Sequence, residues 1–250
     1  MAKQASIIKI EGTLQDLVFY KTKDGYFVKT KISGRGELIK RDARFVRVRE
    51  NGSEFGAAVK SGMLLRNALA QLIYRIADNR LTPRLTQLMS GIQKLDAISK
   101  RGMRRVGVAF DNSSDAVNML KGFDFNINSS LSRVLQKPFD LDNVTGTMTI
   151  TNLVPTKDIF YPENATHVVL RTAFASIDFT NKVYDLSCSA ETIIPINDVV
   201  STLVLTPANF PTVAGTNIYL LQIKFIQEVN GVRYSLHDDG FNAMGIVGAG

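Results

Sequence analysis

Two histidines, His167 and His237, and a single thiol, Cys188, are all the imidazole and sulfhydryl chemistry this 250-residue sequence contains. The histidines stand about seventy residues apart, and no serine or cysteine sits in a nucleophile-elbow pattern, so the spacing supports no catalytic triad. His167 precedes VVLRTAFASI and reads as a strand-edge residue, while Cys188 in DLSCSAET reads as a small core residue. The densest group of ligand-type side chains is HDDG, 237–240, an imidazole beside two carboxylates. Loop aspartates commonly bond their own backbone, and no second ligand cluster accompanies this one, so no metal is expected there. DLDN, 140–143, reads as a turn for the same reason. Gly34 and Gly36 in SGRGELIK lack the further glycine and the Lys-Ser/Thr pair of a phosphate loop. The expectation is a protein without enzyme activity, cofactor or small-molecule substrate.

Cations are the other chemical resource. KRDARFVRVRE and SKRGMRRVG concentrate them, and splitting the chain after Phe110 gives 22 Lys+Arg against 9 Asp+Glu before it and 8 against 14 after it. Clustered cations are the footprint of phosphate or of an acidic protein surface. Phe45 and Tyr74 offer base-stacking rings for a nucleic-acid reading, but Arg44, Arg47 and Arg49 stand beside Asp42, Glu50 and Glu54, whose pairing would absorb part of the charge. No helix-turn-helix, RNA-recognition or zinc motif accompanies them.

The elements that must carry these residues divide into three stretches. In the first, β-branched and aromatic residues with corners at Gly12 and Asp24-Gly25 predict strands over 6–11, 14–21 and 26–32, with Ile8, Ile10, Leu14, Val18 and Tyr20 as a buried face. From Asp42 the period lengthens toward 3.6. Phe45, Val48, Phe55, Val59, Leu65, Leu69, Leu72 and Ile76 form one stripe, with a break expected at Asn51-Gly52 and Ser53 as the following cap. LTPRLTQLMSGIQKLDAIS predicts a second helix capped by Thr82 with Pro83 in its first position, buried through Leu85, Leu88, Met89, Ile92 and Leu95. Beyond it, short apolar runs predict strands near 106–110, 121–128, 144–152, 167–178, 183–190, 201–206, 217–229, 232–237 and 242–248. In IYLLQIKFIQEVNGVRYSL, Tyr219, Leu221, Ile223 and Phe225 share a face, and Asn230-Gly231 turns the chain back into Val232, Tyr234 and Leu236. The fold class is therefore α+β: an N-terminal β meander, a central helical hairpin and a C-terminal antiparallel, immunoglobulin-like β-sandwich. The expected division is a basic region 1–105 and an acidic region 106–250.

One cysteine excludes an internal disulfide. MAKQASIIKIEGT lacks a signal-peptide apolar core, and no run of about eighteen apolar residues occurs, so neither a Sec signal nor a membrane span is expected. A cytoplasmic protein, or one released by a non-Sec route, fits. SIIKIEGTLQDLVFYKTKDGYFVKTK followed by RENGSEFGAAVKSGMLLRNAL resembles an uncharacterised family of short proteins from Bacteroidota-type bacteria. The likeness covers about the first 75 residues, and IQEVNGVRYSL is similar in style to the family's C-terminal β region. It implies a grouping and carries no activity or site residue with it.

The expectation for function is a structural protein that assembles with copies of itself, head to tail. Its basic contacts would come from Arg44, Arg47, Arg104 and Arg105 and its acidic ones from Asp140, Asp142, Asp238 and Asp239. Ile7, Ile8 and Ile10 at one end and Ile246 and Val247 at the other are the residues expected to pair with a sheet edge on a neighbour. The alternative is a nucleic-acid-binding accessory protein that sets the same arginines on phosphate. A carbohydrate-binding module is disfavoured by the absence of tryptophan.

Overall fold

The computed structural model describes residues 2–31, 35–74, 76, 78–236 and 240–250, which fall into two compact units, Met1–Gly52 and Ser53–Gly250. The first unit opens with a four-stranded antiparallel sheet: β1 (Ala2–Lys3), β2 (Gly12–Leu14), β3 (Leu17–Thr22) and β4 (Gly25–Thr30), in the order β1-β4-β3-β2. Thr22 pairs with Gly25, so the tight turn is Lys23-Asp24, one residue ahead of the expected corner, and Gly25 enters β4 at φ +123°. Residues 6–11 are not a strand. The Gln4 side chain takes the place of a strand partner, its Nε2 donating to Ile10 O (3.0 Å) and its Oε1 accepting from Ile10 N (3.0 Å), which closes residues 5–9 into an arch. Ile8, Ile10 and Leu14 are consequently exposed, contrary to the expected buried face.

Cross-strand partners explain why no single face of this sheet is apolar. Val18 and Tyr20 share a face with Phe27 and Lys29, while Leu17 and Phe19 share the other with Tyr26 and Val28. After α1 (Arg35–Arg41) and a 3-10 turn at 43–45 comes α2 (Val46–Ala68). It runs unbroken through Asn51-Gly52, where a break and a Ser53 cap were expected. One glycine costs a helix only about 1 kcal/mol, less than the tertiary burial of Ala58, Gly62, Leu65 and Ala68 further along returns. The expected stripe is half right: Leu65, Leu69, Leu72 and Ile76 are buried, Val48 and Phe55 exposed.

In the second unit α3 (Ala70–Ile73) precedes α4 (Leu81–Gln93). Thr82 does not cap α4, which begins one residue earlier; its hydroxyl instead accepts from the Arg66 guanidinium, and Pro83 is the third helical residue. Leu85, Met89 and Ile92 are buried as expected, and Gly62 of α2 lies against the Leu85 backbone, where an added Cβ would sit 3.5 Å from it. Residues 106–110, expected as a strand, form α5 (Val106–Asn112), followed by α6 (Ser114–Asn118). A five-residue apolar run has no readable period. What selects helix is that Val106, Gly107, Ala109 and Phe110 all join one core, with Gly107 pressed against Thr180 too closely for any side chain. Residues 121–128 likewise form no strand beyond a bridge between Asp124 and Gly245. Two short helices, α7 (Leu131–Val134) and α8 (Pro155–Asp158), lie further along the chain.

The C-terminal strands are antiparallel throughout. β5 (Asp140–Leu141), β6 (Met148–Leu153) and β10 (Ser201–Leu205) make a small sheet ordered β10-β6-β5. The large sheet is built on two long strands, β7 (His167–Asp178) and β11 (Thr216–Val229), paired over eleven residues. β8 (Val183–Cys188) and β9 (Thr192–Pro195) share the far side of β7, while β12 (Val232–Leu236) and β13 (Ala243–Ala249) share that of β11. One face of the large sheet, through Phe174, Tyr219, Leu221, Ile223 and Phe225, packs with Met148, Ile150, Leu203 and Leu205 of the small one. Its other face, through Ala173, Ala175, Ile177, Ile218 and Leu220, packs with Leu69, Leu72, Met89, Ile92 and Phe110 of the helical segment. Burial on both faces is why β7 and β11 read as almost continuous apolar runs. The expected boundary at 105/106 falls inside this second unit, at the entry to α5.

Candidate interaction surfaces

The basic residues singled out by sequence are engaged locally to different degrees. Asp42, a single extended residue (ψ 132°) between α1 and the 3-10 turn, caps that turn, accepting from Arg44 N (2.8 Å) and gripping the Arg44 guanidinium (2.7 Å); the Arg44 side chain, then its backbone N–H, hold the Asp42 carboxyl below the usual range. Arg47 pairs with Glu50 at 2.8 Å, and Arg49 donates to Ile39 O (2.7 Å) and Asp42 O (2.9 Å), tying α1 to α2. These are exposed pairs that hold local geometry more than they neutralise a surface.

Arg104 and Arg105 lie in the loop 97–105, which a residue overlooked at the sequence level organises. Asp96, only 2% exposed, accepts from Ile98 N (3.0 Å), Ser99 N (2.9 Å) and Arg105 N (3.0 Å). Burial opposes its charge, but the donors from Ser99, Arg105 and Ile98 outweigh it and depress the carboxyl. Glu54 accepts from Gly102 N (2.7 Å) and lies 4.0 Å from Arg104, and the Gln93 amide donates to Arg104 O. The Arg105 guanidinium folds back onto Arg104 O at 2.7 Å, and Ile98 and Met103 stand exposed between the cations. Asp in D-x-x-S just past an apolar helical run is an Asx-turn signature, the signal that would have identified it.

The acidic candidates are not equivalent. Asp140 is exposed in the edge strand β5, opposite Thr149. Asp142 builds a turn, accepting from Thr145 Oγ1 (2.7 Å) and Val144 N (2.9 Å), with the Thr145 hydroxyl the main cause of its lowered carboxyl. Asp238 and Asp239, with His237, lie outside the described residues.

The two ends of the chain differ most. Ile7, Ile8 and Ile10 are 100%, 75% and 50% exposed. Ile246 is buried and Val247 half-buried, and β13 offers no free edge at that point: Gly122 N donates to Ile246 O (2.8 Å), Ile246 N to Phe123 O (3.0 Å) and Phe125 N to Met244 O (2.8 Å). Gly250 and Asn217 exchange two backbone hydrogen bonds (2.7 and 3.0 Å). Both backbone groups of Ile246 are therefore already bonded to the segment 122–125 and do not offer an edge to a neighbour.

Asn230 and Gly231 both have positive φ (52° and 78°), and Val229 pairs with Val232, the geometry of a two-residue hairpin. Its tip bares Val229, Val232 and Tyr234, with Arg233 Nε bound to Glu228 at 2.9 Å. His167 opens β7 with Nδ1 2.9 Å from the Thr166 hydroxyl, and Cys188 is half-buried, burial pushing its thiol up against a smaller opposing effect of Arg171. A cleft of about 540 Å³ lies between α5 and the 178–181 turn, where Asp178 is occupied by Thr180 N (2.8 Å) and Asn181 N (2.9 Å). Among the described residues no three metal-ligating side chains converge, and no helix is long and apolar enough to cross a membrane.

Compared with protein-family models, curated proteins and solved structures, the chain matches none. The surfaces themselves must carry the reading.

Proposed function

We propose that this chain is a non-enzymatic structural protein that assembles head to tail with its own copies, as a filament, tube or phage-like particle. One observation carries the reading: no described residue between 2 and 52 is buried, Val18, Phe19, Tyr20, Tyr26, Phe27 and Val28 of its sheet being only half-buried and Ile7 and Ile8 of its arch, with Ile10 at the base, exposed. A small sheet with neither face fully covered gains little from folding; completing its cover in an assembly returns up to about 1.5–3 kcal/mol for an exposed residue such as Ile7 and only part of that for each half-buried sheet residue. Charge supports the direction of the contact. The unit 1–52 carries 12 Lys+Arg against 6 Asp+Glu, whereas the second unit is nearly balanced at 18 against 17, its acidic excess lying in residues 111–250 with 8 against 14. Opposed fields of that kind set register and encounter more than affinity. In this reading the C-terminal sheets act as an immunoglobulin-like sandwich and α2 with α4 as a helical hairpin, together the block to which the next subunit's N-terminal unit attaches, either in the cytoplasm or after release by a non-Sec route.

Sedimentation velocity over a dilution series, followed by negative-stain electron microscopy, tests it. Species larger than a monomer that grow with concentration are expected; a single monomeric species at every concentration and salt overturns it. The second reading, nucleic-acid binding, is favoured by the loop 97–105, whose cations are held in place by Asp96 and Glu54. A gel-shift series should then show binding that weakens steeply with salt, and no shift at low salt removes it.

A further inference from the structure

The arch of residues 5–9 is a peg without a socket in its own unit. Gln4 clamps its base through both hydrogen bonds to Ile10, Lys9 Nζ donates back to Gln4 O (2.7 Å), and Ser6 Oγ accepts from Ile8 N (3.2 Å), so the two isoleucines are held outward on a closed loop. Ile7 at full exposure and Ile8 at 75% are among the least covered large apolar side chains described.

A socket of matching chemistry lies in the second unit. A cavity of about 290 Å³ is walled by Leu131, Leu135, Phe139, Ile246 and Val247, with the Asp124 carboxylate at its edge. That volume is at the bottom of the range for small-molecule sites, suited to one or two aliphatic side chains. Asp124 Oδ1 accepts from Leu131 N (2.8 Å), which fixes the carboxylate beside the apolar walls. An apolar tip followed at once by a lysine matches an apolar hollow bordered by an aspartate in polarity and in charge.

We infer that the Ile7-Ile8 tip of one subunit seats in this cavity of the next, bringing Lys9 to the Asp124 carboxylate. The inference rests on the head-to-tail reading and names its contact. It gives Ile246 and Val247 a role other than strand pairing: they wall the socket.

Cysteine cross-linking tests it. In a Cys188→Ser background, Ile7→Cys and Ser132→Cys place one thiol on the tip and one at the cavity, both at exposed positions that leave the core untouched. A disulfide forms only when the two Cα atoms come within about 7 Å. Oxidation should yield a ladder of dimers and higher multimers on a non-reducing gel, and adding Ile8→Asp should abolish it and raise the concentration for half-assembly about tenfold or more. Particles that form without a ladder, or whose assembly ignores Ile8→Asp, overturn the tip-in-cavity contact and leave self-assembly standing. A disulfide confined to the monomer overturns it as well, since the occupant is then the same chain. Wild-type protein that remains monomeric throughout removes the head-to-tail reading and this inference together.

Discussion

Replacing Asp96 by alanine should loosen the cationic loop and destabilise the second unit by about 2–4 kcal/mol at pH 7. The figure follows from three backbone donors, Ile98 N, Ser99 N and Arg105 N, that lose one nearly buried acceptor at a cost of about 1–3 kcal/mol each, reduced where solvent reaches the exposed side of the loop. Asp96→Asn retains one acceptor oxygen but turns an amide toward one of the donors, so it should lose about half as much. The pH dependence has a definite sign. The folded carboxyl lies below its ordinary value of 3.8, so the contribution is complete above that pH and declines as the pH falls from there through the folded value. Urea unfolding of wild type and both variants, repeated from pH 7 downward as far as the fold survives, measures it. The gap between wild type and Asp96→Ala should narrow below pH 3.8. Equal stabilities at pH 7, or a gap unchanged across the acid range, would refute the assignment of Asp96 as the loop's organiser.

Three further outcomes are expected. Gly215→Ala should cost about 1–3 kcal/mol, seen as a lower urea midpoint, because its Cβ would stand 2.5 Å from the Ile177 carbonyl. Gly231→Val should cost about 1–2 kcal/mol through φ 78° alone, since nothing lies within 4 Å of the new Cβ; a neutral effect in thermal melts would argue against the hairpin geometry. Cys188 should react with a disulfide reagent more slowly than a free thiol at pH 8 and reach the free rate in denaturant, because burial raises its pKa.

How far the sequence could be read depended on the range of the forces involved. The Asn230-Gly231 hairpin and the span of β7 were legible because turn chemistry and long apolar runs act within a few residues. Leu85, Met89 and Ile92 were legible for the same reason, through their helical spacing. Thr82 and Gly52 misled, because a competing Arg66 contact and distant burial along α2 outweighed local preferences worth about 1 kcal/mol. Of the candidate contact residues, Ile7 and Ile8 were expected to pair as a strand and instead stand bare on an arch. DLDN was legible as a turn, and Asp142 builds it by accepting from Val144 N and Thr145 Oγ1.

By itself, then, the amino-acid order determined the antiparallel C-terminal strands, the charge polarity and the scarcity of reactive side chains, all of them properties of composition or of short spacing. Only the tertiary structure decided that 106–112 is helical, that both faces of the large sheet are covered, that 122–125 seals the edge of β13, and that an apolar cavity opens beside Asp124. Those outcomes depend on which distant segments meet, and a short apolar run looks the same whether its partner is a helix, a strand or another molecule.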